Sequence, residues 1–181
     1  VDEAVKVWGR LDVLVNNAGT TSFIAHHELD KVGDDDWDRI LAVNLKGPFQ
    51  CTRAARQALA ADGGGQVVNT SSVAGIMGIG SSIPYACSKA ALNTLTVMLG
   101  RVLAPEVRVI AVAPGFIAGR WLEQGFGAAY DAVKRGYEAR VPLGKVCEPD
   151  DVAAAIMSLI TGSDLVTGQV LAVDAGFTIA Q

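Results

Sequence analysis

Four short apolar runs constrain this chain more than any other feature. They are LDVLVNN (11–17), QVVNTSS (66–72), VRVIAVAPG (107–115) and GQVLAVDAG (168–176), with longer stretches of helical spacing between them. Parallel neighbours need a helix-length crossover, and strands covered on both faces read as continuous apolar runs. The alternation therefore predicts one α/β domain over residues 1–181, a doubly wound parallel sheet of about four strands. Residues 2–9 read as the tail of a helix with no strand before it. LDVLVNN, almost wholly apolar, reads as an interior strand.

The connections carry their own signals. Asp34 to Asp36 supply an N-cap and first-turn negative charge for a helix through Trp37, Ile40, Leu41 and Leu45. Pro48 falls inside that pattern and predicts a kink near Asn44–Pro48. A helix from about Tyr85 to Leu103 follows a glycine-rich loop, and 121–140 predicts a weakly hydrophobic helical flap. Pro149 with its neighbouring acids opens a further helix.

Composition narrows the functional classes. Half of the residues are hydrophobic and 19% charged, which suits a folded core and argues against disorder. A net charge of −4 without a basic stripe disfavours nucleic acid and anionic membranes as partners. No apolar run reaches the ~18–20 residues of a membrane span. Cys51, Cys87 and Cys147 have neither disulfide nor zinc spacing, so free thiols in a reducing cytoplasm are the expectation. His26 and His27 lack the partners of a metal site, and no metal is expected.

Tyr85 and Lys89, in YACSK, stand four apart on the predicted helix and so share a face, with Cβ atoms about 5–6 Å apart. A phenol ordinarily titrates near 10. An ammonium ~4 Å away at an effective dielectric of ~20 favours phenolate by roughly 4 kcal/mol, enough to bring the phenol toward neutrality. A chance pairing on a helix surface is the bland alternative. Further residues point to the same place. Ser72 ends a strand at the carboxyl edge, where open α/β sheets bind ligands. NNAG (16–19) and Pro114-Gly115 end two others, and Gly19 permits close backbone approach. At the kink, the Asn44 carbonyl loses its helical partner and can hold a water, or Asn44 merely caps a broken helix.

Taken as a set, NNAG, VNL with Asn44, Ser72 before VAG, YACSK and Pro114-Gly115 resemble the short-chain dehydrogenase/reductase family in order and spacing. The resemblance implies the C-terminal part of a Rossmann-like sheet and an NAD- or NADP-dependent oxidoreductase acting on a small carbonyl or alcohol. It implies that Tyr85 is the acid/base, that Ser72 positions the substrate oxygen, and that Lys89 binds ribose hydroxyls and lowers the pKa of Tyr85. Asn44 would hold a relay water. Asn16, Ala18 and Gly19 would line the cofactor cleft, and Pro114, Gly115 and Ile117 would meet the nicotinamide. Within the family, the stretch from PGFI to VDAG looks most like 3-oxoacyl-carrier-protein reductases and related sugar or sugar-alcohol dehydrogenases. Helices at about 36–61 and 85–104 would pair with a second subunit in a homodimer or homotetramer.

Two departures stand out. The family's opening Gly-x-x-x-Gly-x-Gly, set between strand and helix to receive a pyrophosphate, is not found before NNAG. GGG (63–65) and GIMGIG (75–80) lie in other contexts. The resemblance implies that roughly 70–80 residues carrying three strands would precede such a chain. The alternative reading is thus a remnant that keeps the reaction residues but binds no dinucleotide. Second, Gly119 stands where a threonine usually holds the carboxamide. On the flap, Trp121 and Phe126 either line a substrate pocket or simply pack, and Arg120 reads as solvated.

Overall fold

A computed structural model describes residues 1–180. Helix α1 (Asp2–Trp8) leads into strand β1 (Val13–Asn16); helices α2 (Asp34–Leu41) and α3 (Gly47–Ala60) follow, joined by a π-helical turn at Ala42–Lys46. Strand β2 (Gly65–Thr70), the single turn α4 (Ala74–Met77), helix α5 (Ile83–Val102) and strand β3 (Val107–Pro114) come next. Helices α6 (Arg120–Phe126), α7 (Tyr130–Arg140) and α8 (Pro149–Thr161) precede strand β4 (Val170–Val173). The sheet is wholly parallel in the order β1-β2-β3-β4, with Asn16 opposite Asn69, Thr70 opposite Val112 and Pro114 opposite Val173.

Alternation along β3 divides the core in two. Val107 and Val109 turn toward α3 and α5, joining Ala55, Leu59 and Val67, with Leu99 and Leu103 packed alongside. Val112 turns to the other face and meets Cys147, Val152, Ile156 and Leu159 beneath α8. All eight β3 residues are buried or nearly so, which accounts for the unbroken apolar run there.

β1 departs from the expectation of an interior strand. It is the outermost strand of this sheet; Asn16 alone is buried and Val15 remains 41% exposed. The start of α2 differs slightly too. Gly33 occupies the N-cap, and the Asp36 carboxylate accepts from its N–H at 3.2 Å, so the acids cap α2 from its first turn and not from the N-cap position itself.

The predicted kink takes a definite form. Pro48 has no N–H to offer the Asn44 carbonyl four residues earlier, and the chain widens into the π turn just before it. Among the described residues, no helix is long and apolar enough to cross a membrane, and no cluster of three metal-ligating side chains forms.

Candidate active site

The carboxyl ends of β1, β2 and β3 open into a cavity of about 980 Å³, covered on its far side by α6 and α7. Ser72, Tyr85, Lys89, Ala18, Gly19, Pro114, Gly115 and Ile117 all line it. The loop after each parallel strand must cross that edge, so residues far apart in sequence meet there.

Local structure aims the reacting groups. Ser82 caps α5 in extended conformation, its hydroxyl accepting from the Tyr85 N–H at 3.4 Å, with Pro84 in the first turn. Tyr85 therefore enters at the start of the helix and Lys89 follows one turn later. Gly75 lets α4 and α5 cross in contact: a methyl there would lie 2.4 Å from the Lys89 carbonyl carbon. Ser72 leaves β2 toward the cavity and its Oγ accepts from the Ala74 N–H at 3.1 Å. Ser71 points away, donating to Asn93 Oδ1 on α5 at 2.5 Å.

Electrostatics at the site differ from the simple phenol–ammonium picture. Burial pushes the Tyr85 phenol above its ordinary value, and the adjacent Ser72 hydroxyl draws it partly back. Lys89 does not lower it in this arrangement. Its Nζ lies 5.7 Å from the centre of the Tyr85 ring and donates to the Thr70 carbonyl at 2.8 Å. Desolvation itself lowers Lys89 to about 8. The two side chains do share a face, but burial outweighs the Coulomb attraction expected from helical spacing.

Asn44 is fully buried and its amide is committed. Nδ2 donates to the Thr20 carbonyl at 2.9 Å and to Ser88 Oγ at 3.0 Å, while Oδ1 accepts from the Thr20 N–H at 2.8 Å. The side chain thus ties the loop after β1 to α5, leaving only its backbone carbonyl for a water. Asn16 departs from its expected place. Its amide donates to Asn69 Oδ1 at 2.9 Å and to Thr52 at 3.4 Å, away from the cavity, because strand parity turns it toward α3 and α5. Asn17 lines the cavity in its stead.

Gly119 also finds a physical reason. It opens α6 with φ 137°, a conformation that L side chains rarely adopt, and its N–H donates to the Tyr130 hydroxyl at 3.3 Å. A threonine here would be strained by backbone, not by crowding, since a methyl would meet nothing within 4 Å.

Thr70 carries no signal in the sequence. Its Oγ1 is buried without a protein partner, and the residue lines the cavity beside Lys89. An orphaned buried hydroxyl, a lysine with N–H groups to spare, and the bare backbone at Gly19 fit a polyhydroxylated, carboxamide-bearing group such as a nicotinamide riboside.

A fold and site of this kind fit the class of nicotinamide-dependent oxidoreductases, and comparison with known proteins agrees. The enoyl-(acyl carrier protein) reductase family model matches residues 1–178. The short-chain dehydrogenase/reductase homolog YusR of Bacillus subtilis is 43% identical over 135 residues, 75% of this chain and all of that protein. The 3-oxoacyl-[acyl-carrier-protein] reductase FabG of Thermotoga maritima is 38% identical over 181 residues, 99% of this chain and 71% of its own length. The solved structure of ElxO with NADP bound superposes with a TM-score of 0.88 at 30% identity, covering 98% of this chain and 71% of that one. The chain belongs to the short-chain dehydrogenase/reductase family.

Proposed function

We propose that this chain is an NAD- or NADP-dependent oxidoreductase that interconverts a carbonyl and a secondary alcohol, with Tyr85 as acid/base. The convergence of Ser72, Tyr85 and Lys89 on one cavity at the strand ends supports this reading. When bound, the nicotinamide supplies or accepts the hydride. The protein's own part is orientation and proton traffic.

With its pKa raised by burial, the Tyr85 phenol is protonated at neutral pH, the state needed to donate to a carbonyl oxygen during reduction. Ser72, held by the Ala74 N–H, offers its own hydroxyl to the same oxygen and stabilises charge as it develops. Lys89, still largely protonated at pH 7, would hold ribose hydroxyls together with Thr70 and face the phenolate left after proton transfer. Asn44 would accept a water at its backbone carbonyl and link Lys89 to solvent. Asn17, Ala18 and Gly19 would border the ribose, with Pro114, Gly115 and Ile117 against the nicotinamide ring. Exposed Phe49, Val97, Met98 and Val102 on α3 and α5 suit a homodimer or homotetramer contact.

Following NADPH or NADH oxidation with a panel of ketones tests the reading. Tyr85→Phe should lower kcat by about 10²–10⁴-fold with the melting temperature nearly unchanged; an unaltered rate refutes it. A saturable rise in melting temperature with NADH or NADPH is also expected, and no rise with either refutes the reading.

A further inference from the structure

The cavity walls carry a preference that the reaction residues do not. Beyond Ser72 and Tyr85, its substrate side is built from Val73, Ile79, Trp121, Leu122, Phe126 and Tyr137. No aspartate, glutamate, glutamine or histidine lines it among the described residues, and Arg120, exposed at the start of α6, is the one charged side chain on this side. Asn17, the lone carboxamide, lies on the cofactor side after β1. The hydroxyls at its rim already have partners: Thr21 Oγ1 and Ser81 Oγ are 2.5 Å apart.

Two aromatic groups shape the space above the phenol. Trp121 stands edge-on to Tyr85, centroids 6.2 Å apart and planes at 84°, and half of its surface is uncovered. Phe126 stacks on Phe116 at 6.3 Å with planes 5° apart. Phe23, from the loop after β1, meets Phe126 edge-on at 5.7 Å. Its ring rests on Gly125, where an added methyl would lie 2.0 Å from Phe23 Cζ. The flap is thus held with its aromatic surface in place before any substrate enters.

We propose that the substrate half of this cleft takes an apolar, ring-bearing ketone or its alcohol, packed against Trp121, and rejects polyols and sugars. The proposal rests on the carbonyl–alcohol reading above and specifies its substrate class. A ring-bearing ketone presents one oxygen, which Tyr85 and Ser72 satisfy; the remainder is apolar surface that these walls remove from water. A polyol would bring several further hydroxyls to walls whose free polar groups on this side are the Arg120 guanidinium and the Tyr137 hydroxyl, and those beyond their reach would lose water without replacement. In the reductive direction, a nicotinamide dinucleotide gives a hydride to the carbonyl carbon and is oxidised. Tyr85 gives the proton to the oxygen, so ketone, reduced cofactor and proton yield alcohol and oxidised cofactor.

The probes are 2-tetralone and L-xylulose for reduction, and 2-tetralol and xylitol for oxidation, with both dinucleotides. Equilibrium binding of each is followed separately by tryptophan fluorescence and calorimetry without cofactor. The expected kcat/KM ratio of 2-tetralone to L-xylulose is at least about 10³, since each unmatched hydroxyl costs on the order of tenfold or more. Trp121→Ala should raise KM for 2-tetralone about tenfold and leave kcat within a few-fold; Trp121→Phe should restore most of the loss. Trp121 is half exposed, so folding is not at stake; Leu122→Asn gives a second handle and should narrow the ratio about tenfold.

Preferential turnover or binding of the polyol or ketose overturns the proposal and leaves the carbonyl–alcohol reading intact. Trp121-dependent binding of 2-tetralone with no turnover of any probe supports the proposal for the site and overturns the catalytic reading. Absence of both binding and turnover of 2-tetralone overturns the proposal.

Discussion

On the strand side of the cleft, Asn16, Asn69 and Thr96 are buried and hold one another in a chain of hydrogen bonds that runs from β1 through β2 into α5. On the flap side, from Arg120 to Arg140, no residue is buried at all, and the contacts are between aromatic rings. The first wall carries the reacting groups and is fastened by directional bonds with little room to shift. The second carries the substrate surface and is held by ring-on-ring contacts, which fix a shape without directional bonds. Chemistry requires fixed geometry, whereas choice of substrate requires only shape, so the two demands fall on differently built material.

The polar chain should therefore be costly to break. Asn69 accepts from Asn16 at 2.9 Å and donates to Thr96 at 3.0 Å with no exposed surface. Asn69→Ala leaves Asn16 with only its long bond to Thr52 and Thr96 with only the Leu92 carbonyl, and removes a buried amide, with an expected loss of about 2–3 kcal/mol. Urea denaturation reads this directly. A loss below about 1 kcal/mol would mean that the strand wall is no stiffer than the flap.

Lys89 belongs to the rigid wall yet works against its stability. Its pKa falls from the ordinary 10.5 to about 8 because burial disfavours the charge. Between those values the unfolded chain binds more protons than the folded one. Stability from this group therefore rises as the pH climbs from 8 to 10.5, and below pH 8 the charge costs the fold roughly 3 kcal/mol. Lys89→Met should abolish that increment relative to the wild type and raise stability at pH 7 by about 1–2 kcal/mol. The hydrogen bond lost from the Thr70 carbonyl offsets the rest. Denaturation at pH 7, 8, 9 and 10 checks it; parallel curves for both proteins would show that Lys89 is not strained.

Much of the strand wall is legible in the sequence because it is written in local terms. Apolar runs mark β2 and β3, a four-residue spacing puts Tyr85 and Lys89 on one face, and strand alternation separates Ser71 from Ser72. What misleads is anything decided by desolvation or by distant packing. The spacing of Tyr85 and Lys89 predicts a lowered phenol, but only the buried setting reveals a raised one. Asn16 looks like a cleft residue until its neighbour Asn69 is placed beside it in register. Thr70 gives no signal, since an orphaned hydroxyl is a property of surroundings. The contact of Phe23 with Gly125 joins residues from separate loops and helices, with no periodicity to mark it.

That contact also supplies the smallest and most local test of the flap. Alanine is a better helix former than glycine, so propensity alone predicts that Gly125→Ala stabilises α6 by about 0.5–1 kcal/mol. The added methyl, however, would occupy the space of the Phe23 ring, which must then leave α6. The two effects oppose each other, and global stability should change by less than about 1 kcal/mol. The flap should still loosen, because Phe23 is what fastens α6 to the loop after β1. Amide exchange across 120–126 should quicken severalfold while exchange in β2, β3 and α5 stays unchanged. If the exchange of 120–126 slows instead, helix propensity governs the flap, and the aromatic contact is not what keeps the second wall in place.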